Sequence, residues 1–312
     1  MKVLVYAAGA VGLGIASCLI KAGAKVDIVA RKETVYALRD KGLIRTGIFG
    51  EFKANPNSFG AWESADKLPS KEYDFILVCC KSFDTLKSAQ DLSNHFSHKE
   101  IPIVLFQNGW GNAEIFTRFF KKHLIYNARV ITGFERKEPN VVNITVHADD
   151  IRIGSIFNSD LSCIKPLCDY IKEGGIPCSI SPHIEKDLWA KMLYNCLLNP
   201  LSAILKVSYG SLAENENTRE IMNNIAKEIF EVMKRAGYST YWDTVEEYLD
   251  VFYKKLIPPT SAHRSSTLQD IARGKKTEID SLTGQIIRLA EKQGIDVPYN
   301  RSVYRMVKFL EN

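Results

Sequence analysis

The chain opens on an uninterrupted apolar run, VLVYA over residues 3–7, which passes through small residues into the helix-like stretch GLGIASCLIKAG. KVDIVA at 25–30 then alternates with the two-residue period of a strand, and DFILVCC (74–80), IPIVLFQ (101–107) and LIYNARVITGF (124–134) repeat the strand signal. Helical stretches, GLGIASCLIKAG and TVYALRDKG among them, alternate with these runs, which predicts a parallel sheet covered by helices. VVNITVHADDIRIG (141–154) and the run around Cys178 read as further strands, expected as antiparallel additions at one edge. After Pro182 the period changes: IEKDLWAKMLYNCLLNPLSAIL, TREIMNNIAKEIFEVMKRAG, WDTVEEYLDVFYKKL and TEIDSLTGQIIRLAEKQG are helical, separated by Gly and Pro punctuation. The pattern predicts an α/β domain over 1–182 and a helical domain over 183–312.

Residues 3–20 carry no charge, follow Lys2 and lead to Ala22-Gly23-Ala24, as an export leader would. Gly9, Gly12 and Gly14 interrupt the run, however, and a second strand follows directly, so we read a strand, turn and helix of a folded domain. A G-x-G-x-x-G turn uses its glycines for tight turning, for close backbone approach to a pyrophosphate and for packing helix on strand. Here those positions are Ala7, Gly9 and Gly12. Gly9 keeps the phosphate-facing position clear, and alanine at the turn position costs roughly 1 kcal/mol if the backbone there must adopt positive φ. The stretch Ala7, Ala8, Gly9, Ala10, Val11, Gly12 is therefore the predicted cradle of a Rossmann-type dinucleotide-binding domain, with the helix N-terminus facing the pyrophosphate. At the end of the second strand stands Arg31 where a carboxylate would select NAD. A guanidinium there suits the 2′-phosphate of NADP, although a solvated strand-end arginine would look the same.

Composition narrows the classes. At 312 residues, 46% hydrophobic and 25% charged, the chain suits two ordinary globular domains. Its net charge of +5 is scattered and its short basic clusters lack interleaved aromatics, which argues against nucleic-acid binding. Seven cysteines without a C-x-x-C pair argue against a disulfide framework and a zinc site, and for a reducing, cytoplasmic compartment. No membrane association is expected, and a homodimer is the expected self-association.

Lys191, Asn195 and Asn199 are spaced i, i+4, i+8 within DLWAKMLYNCLLNPLSAI and fall on one helical stripe amid apolar neighbours. A lysine desolvated beside a cofactor could donate a proton, and two carboxamides could fix a small polar substrate. The same stripe also fits a helix edge of ordinary polar residues. Pro200 removes a helical N–H and is expected to expose backbone groups near Asn199. In SSTLQDIARGKKTEIDSLTG, Thr277 is placed to cap a helix in a capping-box-like pair with Asp280, putting Glu278 in the first turn. Glu278 could then act as a negative partner to Lys191 or to a substrate hydroxyl.

Together with VCCKSFDT (Lys81) and QNGWGNAE (Asn108), these segments resemble ketopantoate reductases over essentially the whole chain. The resemblance implies an active site in the cleft between the two domains, with NADPH reducing the C2 ketone of a small 2-oxo acid, ketopantoate. It implies Lys191 as general acid, Glu278 as the carboxylate orienting lysine and substrate, and Asn108, Asn195, Asn199 and Ser266 as substrate-binding groups. Lys81 and Asn108 would also approach the cofactor. Relatives of the same fold that reduce other branched 2-oxo acids to D-2-hydroxy acids are the alternative, and a non-catalytic NADPH sensor is a third reading. The chain departs from the family pattern at Ala7, at His263, where asparagine is frequent, and in the glycine-poor VVNITVHADDIRIG.

Overall fold

The computed structural model describes residues 1–312, and the chain divides into two compact units: Met1–Gln107 with Asn112–Ile184, and Asn108–Gly111 with Glu185–Asn312. The first unit runs β1 (Lys2–Tyr6), α1 (Ala10–Lys21), β2 (Lys25–Val29), α2 (Lys32–Lys41), β3 (Leu43–Gly47), β4 (Phe52–Ala54), β5 (Gly60–Trp62) and β6 (Phe75–Val78). It continues with α3 (Thr85–Phe96), β7 (Ile103–Leu105), α4 (Asn112–Phe116), β8 (Ile125–Glu138), β9 (Val141–Gly154), α5 (Lys165–Glu173) and β10 (Cys178–Ile180).

All ten strands form one sheet in the order β4-β3-β9-β8-β7-β6-β1-β2-β5, with β10 also on β9. From β8 to β5 every pairing is parallel. The two-residue period explains how helices cover both faces. Val3 and Val5 pack with Leu13, Ile15 and Leu19 of α1, whereas Leu4 and Tyr6 pack with Ala89, Leu92 and Phe96 of α3. On either side of β1 the chain order runs outward in opposite directions, through β2 and through β6. That reversal is the point at which open α/β sheets bind ligands, at the carboxyl ends of their strands.

Two expectations are corrected. The strand β9 is antiparallel to β8, but it lies inside the sheet because β3 pairs parallel on its other side and β4 follows. The strand at Cys178 is parallel to β9, not antiparallel. Its reason is topological: α5 carries the chain back between β9 and β10, and such a crossover delivers a parallel strand. The strands β3, β4 and β5 are only three to five residues long and interrupted by Arg45, Lys53 and glycines, so they lack a readable apolar run.

The second unit is helical: α6 (Ile184–Leu205), α7 (Tyr209–Glu214), α8 (Glu216–Arg235), α9 (Val245–Val251), α10 (Ser266–Ala272), α11 (Thr283–Gln293) and α12 (Pro298–Leu310). The best-formed start is that of α8, where the Asn215 side chain accepts from the amides of Asn217 and Thr218. Met222, Ile225, Ala226, Ile229, Val232 and Met233 form its buried stripe. Pro200 does not open α6 as expected: the helix continues to Leu205, and the Asn199 carbonyl accepts from Ser265 Oγ at 3.2 Å. No helix is long and apolar enough to cross a membrane. All seven cysteines are free thiols.

Candidate active site

In the first unit, Ala7 follows β1 with φ of 58°, a left-handed conformation that costs a non-glycine residue about 1–2 kcal/mol. The turn position therefore does demand positive φ, and the chain bears that strain. The turn is tied down on one side by the Ala8 amide, which donates to the Val29 carbonyl at 2.9 Å. Gly9 caps α1 at φ −86° with no side-chain cap, and a Cβ built there meets nothing within 4 Å. A Cβ on Gly12 would instead stand 3.0 Å from Cys79 Cβ and 3.1 Å from Ala8 Cβ. The three positions thus divide as the motif requires: a turn, an open approach over a helix N-terminus, and a close helix-to-strand contact. Ala10 and Val11 open the helix itself.

Other groups at the carboxyl ends of the strands belong to the same unit. Arg31 follows β2 as the capping residue of α2; its carbonyl accepts from the Val35 amide at 3.0 Å, while its side chain is exposed and makes no intramolecular hydrogen bond or ion pair. Lys81 follows β6, half-buried in an extended conformation. Gln107 lies two residues past β7 and is 6% exposed; its amide donates to Thr85 Oγ1 at 2.8 Å and Cys80 Sγ at 3.2 Å, while its Oε1 is buried without a partner. Tyr6 donates to Asp91 at 2.6 Å, and burial together with that carboxylate pushes the phenol far above its usual range. These residues fit a dinucleotide on the molecule's own evidence: open space over Gly9, uncapped helix amides, an unpartnered arginine and an orphaned acceptor.

In the second unit the sequence-distant candidates meet. Lys191 Nζ donates to Asn108 Oδ1 at 2.6 Å, and Asn108 Nδ2 donates to Glu278 Oε2 at 3.1 Å. Lys191 and Asn108 are half-buried, and Glu278 is 7% exposed. One carboxamide thereby spans a cation and an anion, using its acceptor on one and its donor on the other.

The stripe is split in its circumstances. Asn195 is half-buried and makes no intramolecular side-chain hydrogen bond. Asn199 is 3% exposed and its Oδ1 accepts from Tyr209 at 2.7 Å, leaving its amide nitrogen to bind other acceptors. Ser266 is exposed at the start of α10, while its neighbour Ser265 does the capping by accepting from the Leu268 amide. His263 packs its ring 5.2 Å from that of Tyr209, and burial lowers its pKa, favouring the neutral ring.

The placement of Glu278 differs from expectation. A short 3₁₀ turn spans Ile279–Ser281, with α11 beginning only at Thr283. Glu278 precedes that turn at φ −97°, ψ 19°, so it does not stand in the first turn of an α-helix. No Thr277–Asp280 box forms: Thr277 donates to Glu311 at 2.6 Å, and Asp280 accepts from Tyr304 at 2.7 Å. Long-range partners outcompete the local box. Gln107, Trp110, Tyr209 and Ser281 escaped the sequence reading, because glutamine, aromatic and serine positions carry no periodic signal of their own.

Comparison with known proteins agrees with the geometry. The family model described as ketopantoate reductase PanE/ApbA matches residues 3–157, and its C-terminal counterpart matches residues 183–311. A 2-dehydropantoate 2-reductase of Aquifex aeolicus is 35% identical over 312 residues, covering 100% of this chain and 97% of that protein. The crystal structure of a PanE/ApbA family ketopantoate reductase from Ralstonia eutropha JMP134 aligns with a TM-score of 0.85 at 28% identity, covering 100% and 98% of the two chains. A ternary structure of D-mandelate dehydrogenase with NADH and anilino(oxo)acetate shares the fold, with a TM-score of 0.88 at 23% identity over 100% and 98%. With a glycine turn at one end of its sheet and a lysine–asparagine–glutamate chain in its helical unit, this protein belongs to the ketopantoate reductase PanE/ApbA family.

Proposed function

We propose that the protein reduces 2-dehydropantoate to (R)-pantoate with NADPH, and that the hydrogen-bonded chain Lys191–Asn108–Glu278 carries the reaction's proton chemistry. When bound, NADPH supplies the hydride for the ketone carbon. The ketone oxygen then gains negative charge, which the Lys191 ammonium stabilises and to which it gives its proton. Asn108 holds that ammonium through its carbonyl oxygen, and the Glu278 carboxylate fixes the amide so that the oxygen faces Lys191. Asn195 and Ser266 are polar groups without competing intramolecular side-chain bonds, suited to the substrate carboxylate or hydroxyl. Asn199 contributes as a donor, its oxygen being taken by Tyr209. On the cofactor side, Arg31 would serve the 2′-phosphate and residues 7–12 the pyrophosphate, with Lys81 and Asn108 as further cofactor-binding groups. Residues 1–182 act as the cofactor domain and 183–312 as the substrate domain.

The test is NADPH oxidation with ketopantoate, 2-oxoisovalerate and benzoylformate, using the wild type and Lys191→Ala. Ketopantoate is expected to be the best substrate, and loss of the general acid should lower kcat about 10²- to 10⁴-fold. Tight NADPH binding with no turnover of any 2-oxo acid would remove the proposal, and preference for benzoylformate would move it to the mandelate-type reaction.

A further inference from the structure

The segment QNGWG holds more than its asparagine. Trp110 is 5% exposed, its ring 5.2 Å from that of Trp189 and 4.9 Å from that of Tyr238. Those two rings lie 5.1 Å apart, so the three form one closed cluster. Trp110 stands two residues after Asn108 and Trp189 two residues before Lys191. One aromatic cluster therefore anchors both ends of the 2.6 Å bond between lysine and carboxamide.

The third member is anchored to the same segment. The Trp110 amide donates to the Ser281 carbonyl at 3.0 Å. Ser281 in turn donates through its amide at 3.1 Å and its hydroxyl at 3.0 Å to the carbonyl of Glu278. Gly109 allows this approach: it has φ of +87°, and a Cβ there would stand 2.4 Å from the Ser281 carbonyl oxygen. With glycine at both 109 and 111, each at positive φ, the backbone on its own would be permissive. The buried indole supplies the rigidity the glycines lack, since a large ring packed on two others has few alternative placements.

We propose that Trp110 is a positioning residue for the reaction, setting the Asn108 carboxamide between Lys191 and Glu278 without touching substrate. The inference rests on the role given above to those three residues. A double-mutant cycle tests it, combining Trp110→Ala or Trp110→Phe with Asn108→Ala, with ketopantoate kcat and KM, NADPH affinity and thermal melting measured for each. Trp110→Ala should lower kcat about 10- to 100-fold, the scale of a misplacement near 1 Å, and any loss of NADPH affinity should be no larger than that of Asn108→Ala. Trp110→Phe should recover most of the loss, and in the Asn108→Ala background removal of Trp110 should cost less than about twofold more. Additive losses in the cycle, or a folded Trp110→Phe no better than Trp110→Ala, would overturn the inference. Should Trp110→Ala not fold, Trp110→Leu takes its place in the cycle with the same criteria. An Asn108→Ala enzyme with full turnover would count against the reading of the trio itself. A crippled Asn108→Ala beside an unimpaired Trp110→Ala would sink the positioning role alone.

Discussion

Gly9 and Gly12 look alike in sequence and differ in what surrounds them. Beside Gly9 there is open space and its φ is an ordinary −86°, so Gly9→Ala should leave stability within about 0.5 kcal/mol of wild type. NADPH affinity should nevertheless fall at least about tenfold, as the new methyl group occupies the phosphate approach. Gly12→Ala should do the reverse first, costing about 1–3 kcal/mol by overpacking against Cys79, Ala8 and Val5. Urea unfolding and NADPH titration of both variants separate the two cases. Arg31 gives a further contrast: being exposed and unpartnered, Arg31→Glu should leave stability unchanged while moving the preference from NADPH toward NADH, read as the ratio of kcat/KM values. The different surroundings of Gly9 and Gly12 were legible because the motif gives one glycine an open approach and the other a close helix-to-strand contact. The strain at Ala7 was legible only as a condition, since positive φ is a fact of the backbone and not of the residue type.

At the scale of elements, the helix α6 could be read from end to end because a dense apolar stretch of 22 residues is too long for a strand, and Lys191, Asn195 and Asn199 recur in it at helical spacing. The start of α11 could not, because Thr277 and Asp280 satisfy a local capping rule and then bond instead to Tyr304 of α12 and to Glu311 just after it. There Glu311 accepts from the Thr277 amide at 2.8 Å and hydroxyl at 2.6 Å and pairs with Lys308, so the last turn of the chain fastens the loop that carries Glu278. Burial works to raise the Glu311 pKa, but the bonds from Lys308 and Thr277 prevail and hold it below the usual carboxylate range. A depressed folded pKa contributes stability that is present above the unfolded value, about 4.5, and is lost as pH falls through the folded one. Glu311→Gln should therefore cost about 1–2 kcal/mol at pH 7. Melting curves of the two proteins should converge as the pH drops below about 4.5. A gap that stays constant to pH 3 would mean that the carboxylate's charge has no part in the clamp.

For the whole molecule, the alternation of strand and helix followed by helix alone was enough to read the architecture, because parallel sheets and helical units impose different periods on long stretches. What escaped was the loan of residues 108–111 to the second unit, since four residues carry no period and their destination is set by contacts with Trp189, Tyr238 and Ser281. The strands β3, β4 and β5 escaped for a similar reason, their identity coming from neighbours in the sheet more than from their own composition.

The loan has a consequence for inheritance. A recombination that joined residues 1–182 of this chain to the helical half of a relative would join two whole stretches in frame and yet split a packed set. Asn108 and its tryptophan would arrive fitted to Trp189 and Tyr238 and meet another protein's residues in their place. Exchange that preserves the set has to carry residues 108–111 along with the distant half. The heritable module of this protein is therefore discontinuous in its gene, and substitutions at 110, 189 and 238 are expected to be compatible only in matched combinations.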